Sequence, residues 1–408
     1  MPTPTRPNAE GEPSAEPLDP HPRETASLPL AGIRVLELGT FVTGPYAAAM
    51  LGDMGADVIK VEPPAGDPMR GWSEDAYSPY FQAYNKSKRS IALDLRTPRD
   101  LEVMHALIAR SDVLIHNYRP GVADRLGVGA EQARKLNPRL VYCQISGFGE
   151  SGPYAKRPSY NQVVQSISGL DSLIVDEALP APVGPNFGDT MTGIYASHAL
   201  LAALLRRERT GEGAVVEVTM LGSMLSFLGA DVQDYLVSGI APRSGSRPAF
   251  SQSYMAEAGD GLPLTVHLSS PEKFWRGLLA AIERPELADD PRFRTWADRK
   301  EHYAELRDEL QAAFVRHPRA EWLHRLEQHD VPSAPVNDIA EVLADPQVAH
   351  LQAVVELSGD RGTRTVIASP SRIDEVSMLG TPAPRLAEHD EAIRAELGLD
   401  AAGPPKSS

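Results

Sequence analysis

The residues with most chemical promise form the segment Gly188-Asp189-Thr190-Met191-Thr192-Gly193. Asp189 follows an extended Pro/Gly stretch, Pro182-Val183-Gly184-Pro185-Asn186-Phe187, and precedes an Ala/Leu-rich run of helical character reaching Arg209. Two readings share this geometry. Aspartate is a favoured helix N-cap, because its carboxylate accepts hydrogen bonds from the first orphan backbone N–H groups. The same carboxylate, beside those donors and the positive end of a helix dipole, stays ionised at neutral pH. Ionised and partly desolvated, it can attack a thioester carbonyl and become covalently acylated. Local sequence leaves both readings open.

Other common chemistries lack their residues. The first strand–helix turn reads Gly39-Thr40-Phe41-Val42-Thr43-Gly44-Pro45, which is not a dinucleotide-binding G-x-G-x-x-G. Pro45 also removes an N–H that such a turn would aim at a pyrophosphate. Neither a P-loop, nor H-E-x-x-H, nor G-x-S-x-G occurs. His116 ends a predicted strand, where a structural role is commoner than an acid/base one. The histidines lack spaced partners, so no metal site is expected.

These residues need elements to position them. Gly32 to Gly39 reads as a strand, Tyr46 to Met54 as a helix and Asp57 to Glu62 as a second strand. Strand–helix–strand within about 30 residues is a βαβ unit with parallel strands. The pattern repeats with a strand at Ser90–Leu95, a helix at Pro98–Arg110 and a strand at Asp112–His116. A helix at Ala130–Leu136 and a strand around Tyr142 follow. The expected fold is therefore α/β, a doubly wound Rossmann-like large domain. A long helix is expected from Leu221 to Val237. Beyond it a strand at Leu262–Leu268 and helices at Pro271–Ile282, Arg299–Arg316 and Arg319–Gln328 read as a smaller α+β domain.

The bounds are a disordered tail at 1–27, a large domain beginning at 28–225 and a linker helix and loop at 226–248. A small domain at 249–337, a return to the large domain at 338–398 and a frayed tail at 399–408 complete the chain. The 408 residues exceed what one small core usually organises. No apolar run approaches the roughly 18 to 20 residues of a membrane span. A net charge of −15 disfavours nucleic acid and anionic membranes as partners. A polyanionic ligand would need locally gathered cations, and Lys86 to Arg125 is rich in them. One cysteine, Cys143, excludes an intrachain disulfide and suits a reducing, cytoplasmic location. Its apolar neighbours mark it as a buried strand residue.

Dispersed motifs then add a resemblance. From about Leu30 to Leu357 the chain carries "LAGIRVLELGTFVTGPYAAAMLGDMGADVIKVE", "RGW", "NKSKRSIALDLRTP", "DVLIHNYRPGVADRLG", "LNPRLVYCQISGFGESGPY", "QSISG" and "GDTMTG". Further on come "HLSSPEKFW", "DDPRFRTWADR", "EWLHRLEQHDVPSAPVNDIAEVL" and "DPQV". In order and spacing the chain resembles the family III CoA-transferases, which include formyl-CoA transferase. The resemblance implies that Asp189 is the acylated nucleophile and that the protein is an interlocked, ring-like homodimer. It implies no tightly bound cofactor. Coenzyme A enters as acyl-CoA substrate, and the partners are acyl-CoA and a small carboxylic acid.

By the same match Leu93 and Arg96 lie near the nucleotide, Asn117 and Tyr118 line the adenine or pantetheine path, and Arg125 meets a phosphate. Guanidinium groups suit phosphate oxygens, and an aromatic face suits adenine. Tyr80 and Tyr160 match positions facing the substrate carboxylate, and Val42 stands where formyl-CoA transferase has glutamine. The glycine-rich flap of that enzyme is replaced by "SRPAFSQSYMAEAGDG". Alternatives within the fold are an α-methylacyl-CoA racemase, whose histidine is missing from Ser159-Tyr160-Asn161-Gln162-Val163, and an inactive CoA-binding subunit of a hetero-oligomer.

Overall fold

The computed structural model describes residues 28–175, 181–269, 271–359, 362–374, 376–378 and 380–399. The tails expected at 1–27 and 399–408 lie outside these residues, apart from Leu399. Two compact units emerge. The first takes residues 28–159, 188–223 and 349–399 of the described chain, and the second takes 160–187 and 224–348. Residues 160–187, read from sequence as part of the large domain, thus cluster with the second unit.

The first unit is built on six strands: β1 Arg34–Glu37, β2 Asp57–Glu62, β3 Lys88–Ala92, β4 Val113–His116, β5 Val141–Ser146 and β6 Ala214–Thr219. They pair in the order β3-β2-β1-β4-β5-β6, every pairing parallel. This is the doubly wound order, with its switch point between β1 and β4, where ligands enter at the carboxyl ends of the strands. Successive side chains of a strand face opposite sides, so the inner strands β2, β1, β4 and β5 feed two cores. Val35, Val58, Val113 and Cys143 pack under helices Thr43–Asp53 and Phe187–Thr210. Leu36, Ile59, Ile91 and Leu114 pack under helices Pro98–Ala109 and Ala130–Leu136. Ile393 of helix Asp390–Glu396 and its C-cap residue Leu397 join this second core. Within the expected return segment 338–398 lies a separate antiparallel hairpin, β10 Val354–Gly359 and β11 Gly362–Ile367.

The second unit holds an antiparallel sheet of β7 Ser253–Glu257, β8 Pro263–His267 and β9 Ser333–Pro335. Trp275, Leu278, Phe314 and Trp322 from its helices share one core with Tyr254 and Val266. Two expected helices are interrupted. Leu221–Val237 is split into Met220–Phe227 and Gly229–Ser238, and Arg299–Arg316 into Trp296–Glu301 and Tyr303–Phe314. In the second case Thr295 and Asp298 form a capping box and His302 ends the short helix, so one periodic run becomes two rods. The segment that reads "SRPAFSQSYMAEAGDG" folds as helix Ser246–Ser251 leading into β7.

Candidate active site

Helix Phe187–Thr210 is 24 residues long and carries Asp189 in its first turn. Asp189 is its third residue and not the residue before it, so the N-cap geometry expected from sequence is replaced by one inside the helix. A carboxylate there still meets the unpaired N–H groups and the dipole's positive end. Asp189 is half-buried, with buried Gly188 behind it. Thr192 Oγ1 donates to the Gly188 carbonyl at 2.5 Å, bracing the turn that presents Asp189.

One turn further on, Gly193 sets the height of this helix. A Cβ there would lie 3.0 Å from Tyr46 Cδ1 and 3.2 Å from the Thr43 carbonyl oxygen. A side chain there would press on the Thr43–Asp53 helix, which would have to give by a few tenths of an ångström. Residues four apart share a helix face, so Asp189 stands one turn above this contact. Both helices connect parallel strands, so both begin at the carboxyl edge of the sheet.

The turn from β1 into Thr43–Asp53 is held from β4. The Asn117 amide accepts from Thr40 N–H at 2.9 Å and donates to the Thr40 carbonyl at 2.7 Å and Thr43 Oγ1 at 3.0 Å. It fixes Phe41 in the left-handed region, φ 61°, which a bulky side chain rarely adopts. Val42 turns inward and packs with Met69, Tyr77, Phe81 and Ala383. Phe41 faces Trp72 at 6.4 Å between ring centroids, and Trp72 meets Tyr80 edge-on at 5.5 Å. Trp72 and Tyr80 are 56 % and 61 % exposed. The structure thus groups Tyr80 with the β1 turn and adds Trp72, which sequence reasoning passed over although it lies in the quoted "RGW".

Tyr118 is stacked on His116 at 5.4 Å, and burial, then the Glu37 charge, pushes its hydroxyl pKa up to about 12. Burial lowers the His116 pKa to about 4. Its Nδ1 accepts from the Tyr118 N–H at 3.2 Å and its Nε2 lies 2.9 Å from the Tyr142 hydroxyl, which donates to the Val128 carbonyl. Those partners fix a neutral imidazole protonated at Nε2. His116 is structural, the commoner of its two roles. Cys143 is fully buried and its thiol pKa is pushed up to about 12, as befits a strand residue.

The remaining expected residues divide. Leu93 is buried in the sheet core, its N–H donating to the Glu62 carbonyl. Arg96 is highly exposed and folded onto Asp94, with hydrogen bonds of 2.7 and 2.9 Å. Arg125 is exposed at the end of the short helix Val122–Arg125. All three follow strands at the carboxyl edge. Tyr160 belongs to the second unit, is 64 % exposed and immediately precedes helix Asn161–Ser168.

Beneath the β1 turn lies a buried ionic cluster that sequence reading missed. Glu37 Oε2 accepts from Lys60 Nζ and Lys88 Nζ, each at 3.1 Å. Lys60 also meets Asp67 at 3.2 Å and donates to the Gly39 carbonyl at 3.0 Å. Glu62 takes a bidentate pair of 2.7 Å bonds from Arg70. Central parallel strands are buried on both faces, so a charge on one must be paired. That was the available signal: Glu37, Lys60 and Glu62 stand among the apolar residues of β1 and β2.

Among the described residues no cluster of His, Cys, Asp or Glu could hold a metal, and no helix is long and apolar enough to cross a membrane. A doubly wound parallel sheet with a carboxylate at the start of a helix over its carboxyl edge defines an α/β protein of the class that binds ligands at that edge. The model of CoA-transferase family III matches residues 30–390, and the chain belongs to that family. It is 36 % identical over 390 residues to the succinate–glutarate CoA-transferase of Agrobacterium fabrum, covering 90 % of this chain and 96 % of that one. It is 34 % identical to the formyl-CoA:oxalate CoA-transferase of Streptomyces avermitilis, covering 91 % and 96 %. A CAIB/BAIF family protein from Brucella suis has a similar crystal structure, with TM-score 0.81, 34 % identity and coverage of 91 % and 99 %.

Proposed function

We propose that the protein moves coenzyme A from an acyl-CoA donor to a carboxylic acid acceptor through covalent acylation of Asp189. The supporting observation is the placement of Asp189 in the first turn of a helix packed, through Gly193, on the helix that starts after β1. In the first step a carboxylate oxygen attacks the donor thioester carbonyl, forming a mixed anhydride and expelling CoA thiolate. The thiolate attacks the aspartyl carbonyl, giving an aspartyl-CoA thioester and releasing the donor acid. The acceptor carboxylate attacks that thioester, making a new anhydride and freeing thiolate again. Thiolate attack on the acceptor's acyl carbon returns Asp189 as carboxylate.

No proton is consumed at any step. The chemistry instead needs donors for each oxyanion and exclusion of water from the anhydrides. Backbone N–H groups at the start of the Asp189 helix are suited to the first task. Leu93, Arg96, Asn117, Tyr118 and Arg125 follow strands where a CoA nucleotide would approach, and Tyr80, Tyr160 and Val42 are proposed to meet the acyl or acid group. Asn117 would act there chiefly through the turn it holds. The functional unit is proposed to be an interlocked homodimer.

The test is incubation with succinyl-CoA, the donor suggested by the succinate-using relatives, followed by acid quench and peptide mass mapping. A mass increment on the Asp189 peptide, discharged by an acceptor such as glutarate, is expected. A racemase or an inactive subunit leaves that peptide unmodified, and α-deuterium exchange singles out the racemase.

A further inference from the structure

Lys88 is the second residue group beneath the site with no part in the chemistry just described. It lies at the start of β3, 3 % exposed, and its Nζ has four acceptors. These are Glu37 Oε2 at 3.1 Å, the Pro45 carbonyl at 2.8 Å, the Tyr84 carbonyl at 3.0 Å and Asn85 Oδ1 at 2.8 Å. Pro45 lies in the first turn of the helix on which Gly193 rests, while Tyr84 and Asn85 end the helix Pro79–Asn85 that carries Tyr80. Tyr84 also meets Tyr46 edge-on at 5.5 Å, and Tyr46 is the ring against Gly193. One ammonium therefore ties β1, the Asp189-bearing contact and the Tyr80 helix to a single point.

We propose that Lys88 is a positioning residue for acyl transfer, and that transfer requires its proton. This rests on the Asp189 reading and deepens it. An ammonium offers three N–H groups, a neutral amine two and a lone pair. Deprotonation would turn that lone pair toward acceptors already packed around it. The first link to slacken is then a carbonyl of the Thr43 or Tyr80 helix, and near-attack geometry is sensitive to shifts of about 1 Å.

The surroundings put this change in an accessible range. Burial first, and then the like charge of Lys60, lower the Lys88 pKa to about 8, and Glu37 and Asp67 only partly oppose them. The groups facing it are Glu37 of β1, Lys60 of β2, Asp67 after β2, Asp53 of the Thr43 helix, and Tyr84 and Asn85 of the Tyr80 helix. Lys60 keeps its proton, because Glu37, Asp67 and Glu62 outweigh its burial. The transfer steps themselves take up no proton, so they supply no alkaline limb near pH 8.

The test is the rate of Asp189 acylation by succinyl-CoA, read by mass, from pH 6.5 to 10 in wild type, Lys88→Arg and Glu37→Gln, with thermal unfolding alongside. Wild type is expected to lose about tenfold per pH unit above the Lys88 pKa. Lys88→Arg should hold its rate past pH 9. Glu37→Gln, which keeps Lys88 but removes its favourable charge, should move the limb to lower pH and stands in if the arginine variant does not fold. A lysine with lowered folded pKa makes stability rise, not fall, between its folded and unfolded values. Its contribution to the melting temperature should therefore not drop while activity does. A flat wild-type profile, or a limb unmoved in both variants, overturns the proposal. Absence of any Asp189 adduct in wild type at every pH instead refutes the transfer reading, and this proposal falls with it.

Discussion

The Asn117 side chain grips Thr40 at both of its backbone groups, accepting from the N–H at 2.9 Å and donating to the carbonyl at 2.7 Å. A side-chain amide thus does for the β1 turn what a neighbouring strand does for β1. The clasp explains how Phe41 is kept at positive φ beside the aromatic pair Trp72 and Tyr80.

Replacing Asn117 by alanine leaves two backbone groups of a half-buried turn without partners. A loss of about 1–3 kcal/mol is expected by urea titration. The transfer rate should fall further than the loss of folded protein explains. Asn117→Asp should be no rescue, because a carboxylate repels the Thr40 carbonyl.

Gly193→Ala tests the height of the Asp189 helix. Its methyl would meet the Tyr46 ring at 3.0 Å and the Thr43 carbonyl at 3.2 Å. A cost of about 1–3 kcal/mol is expected for such overpacking, with acylation of Asp189 slowed at constant protein fold by circular dichroism.

Asp189→Asn should abolish the acyl adduct and reduce turnover by roughly three orders of magnitude or more. The fold should change little, since loss of one charge from a first helical turn costs about 0.3–1 kcal/mol. Full turnover by this variant would end the covalent reading.

Trp72→Ala and Tyr80→Ala remove exposed rings, so stability should stay within about 0.5 kcal/mol of wild type. The KM for acyl-CoA or for the acid should rise severalfold. Unchanged kinetics in both would take the Phe41–Trp72–Tyr80 surface out of the site.

His116 is buried neutral, with its pKa lowered from 6.5 to about 4. A lowered value means stability fully present above pH 6.5 and lost progressively as pH falls toward 4. The shift amounts to about 3 kcal/mol over that interval. Comparing wild type with His116→Asn by denaturant titration at pH 4.5 and 7 isolates it, since the variant should lose less on acidification.

The βαβ repeat was legible because parallel strands buried on both faces read as short apolar runs, and β1 to β5 fall in or beside segments so marked. The Asp189 helix was legible through its Ala/Leu pattern, though it begins two residues earlier than its apolar run suggests. What escaped was long-range. Val42 packs under the turn with Met69 and Ala383, neighbours that its own stretch of sequence does not show. Arg70 donates to the Pro384 carbonyl and Ser90 N–H to His389 Nδ1, contacts between residues about 300 apart that local periodicity cannot encode. The buried Lys60 and Lys88 read as ordinary polar positions until strand order showed β2 to be interior.

The same distant contacts bear on how the molecule is made. Ile393 and Leu397 join a core that also holds Leu36, Ile59 and Ile91, and Glu396 bridges Arg34 and Arg89. During synthesis the sheet emerges from the ribosome long before these residues do. Until the helix Asp390–Glu396 is released, the part of this core around Ile91 lacks its cover and is open to chaperones and to other nascent chains. The first unit is therefore first to begin folding and last to finish.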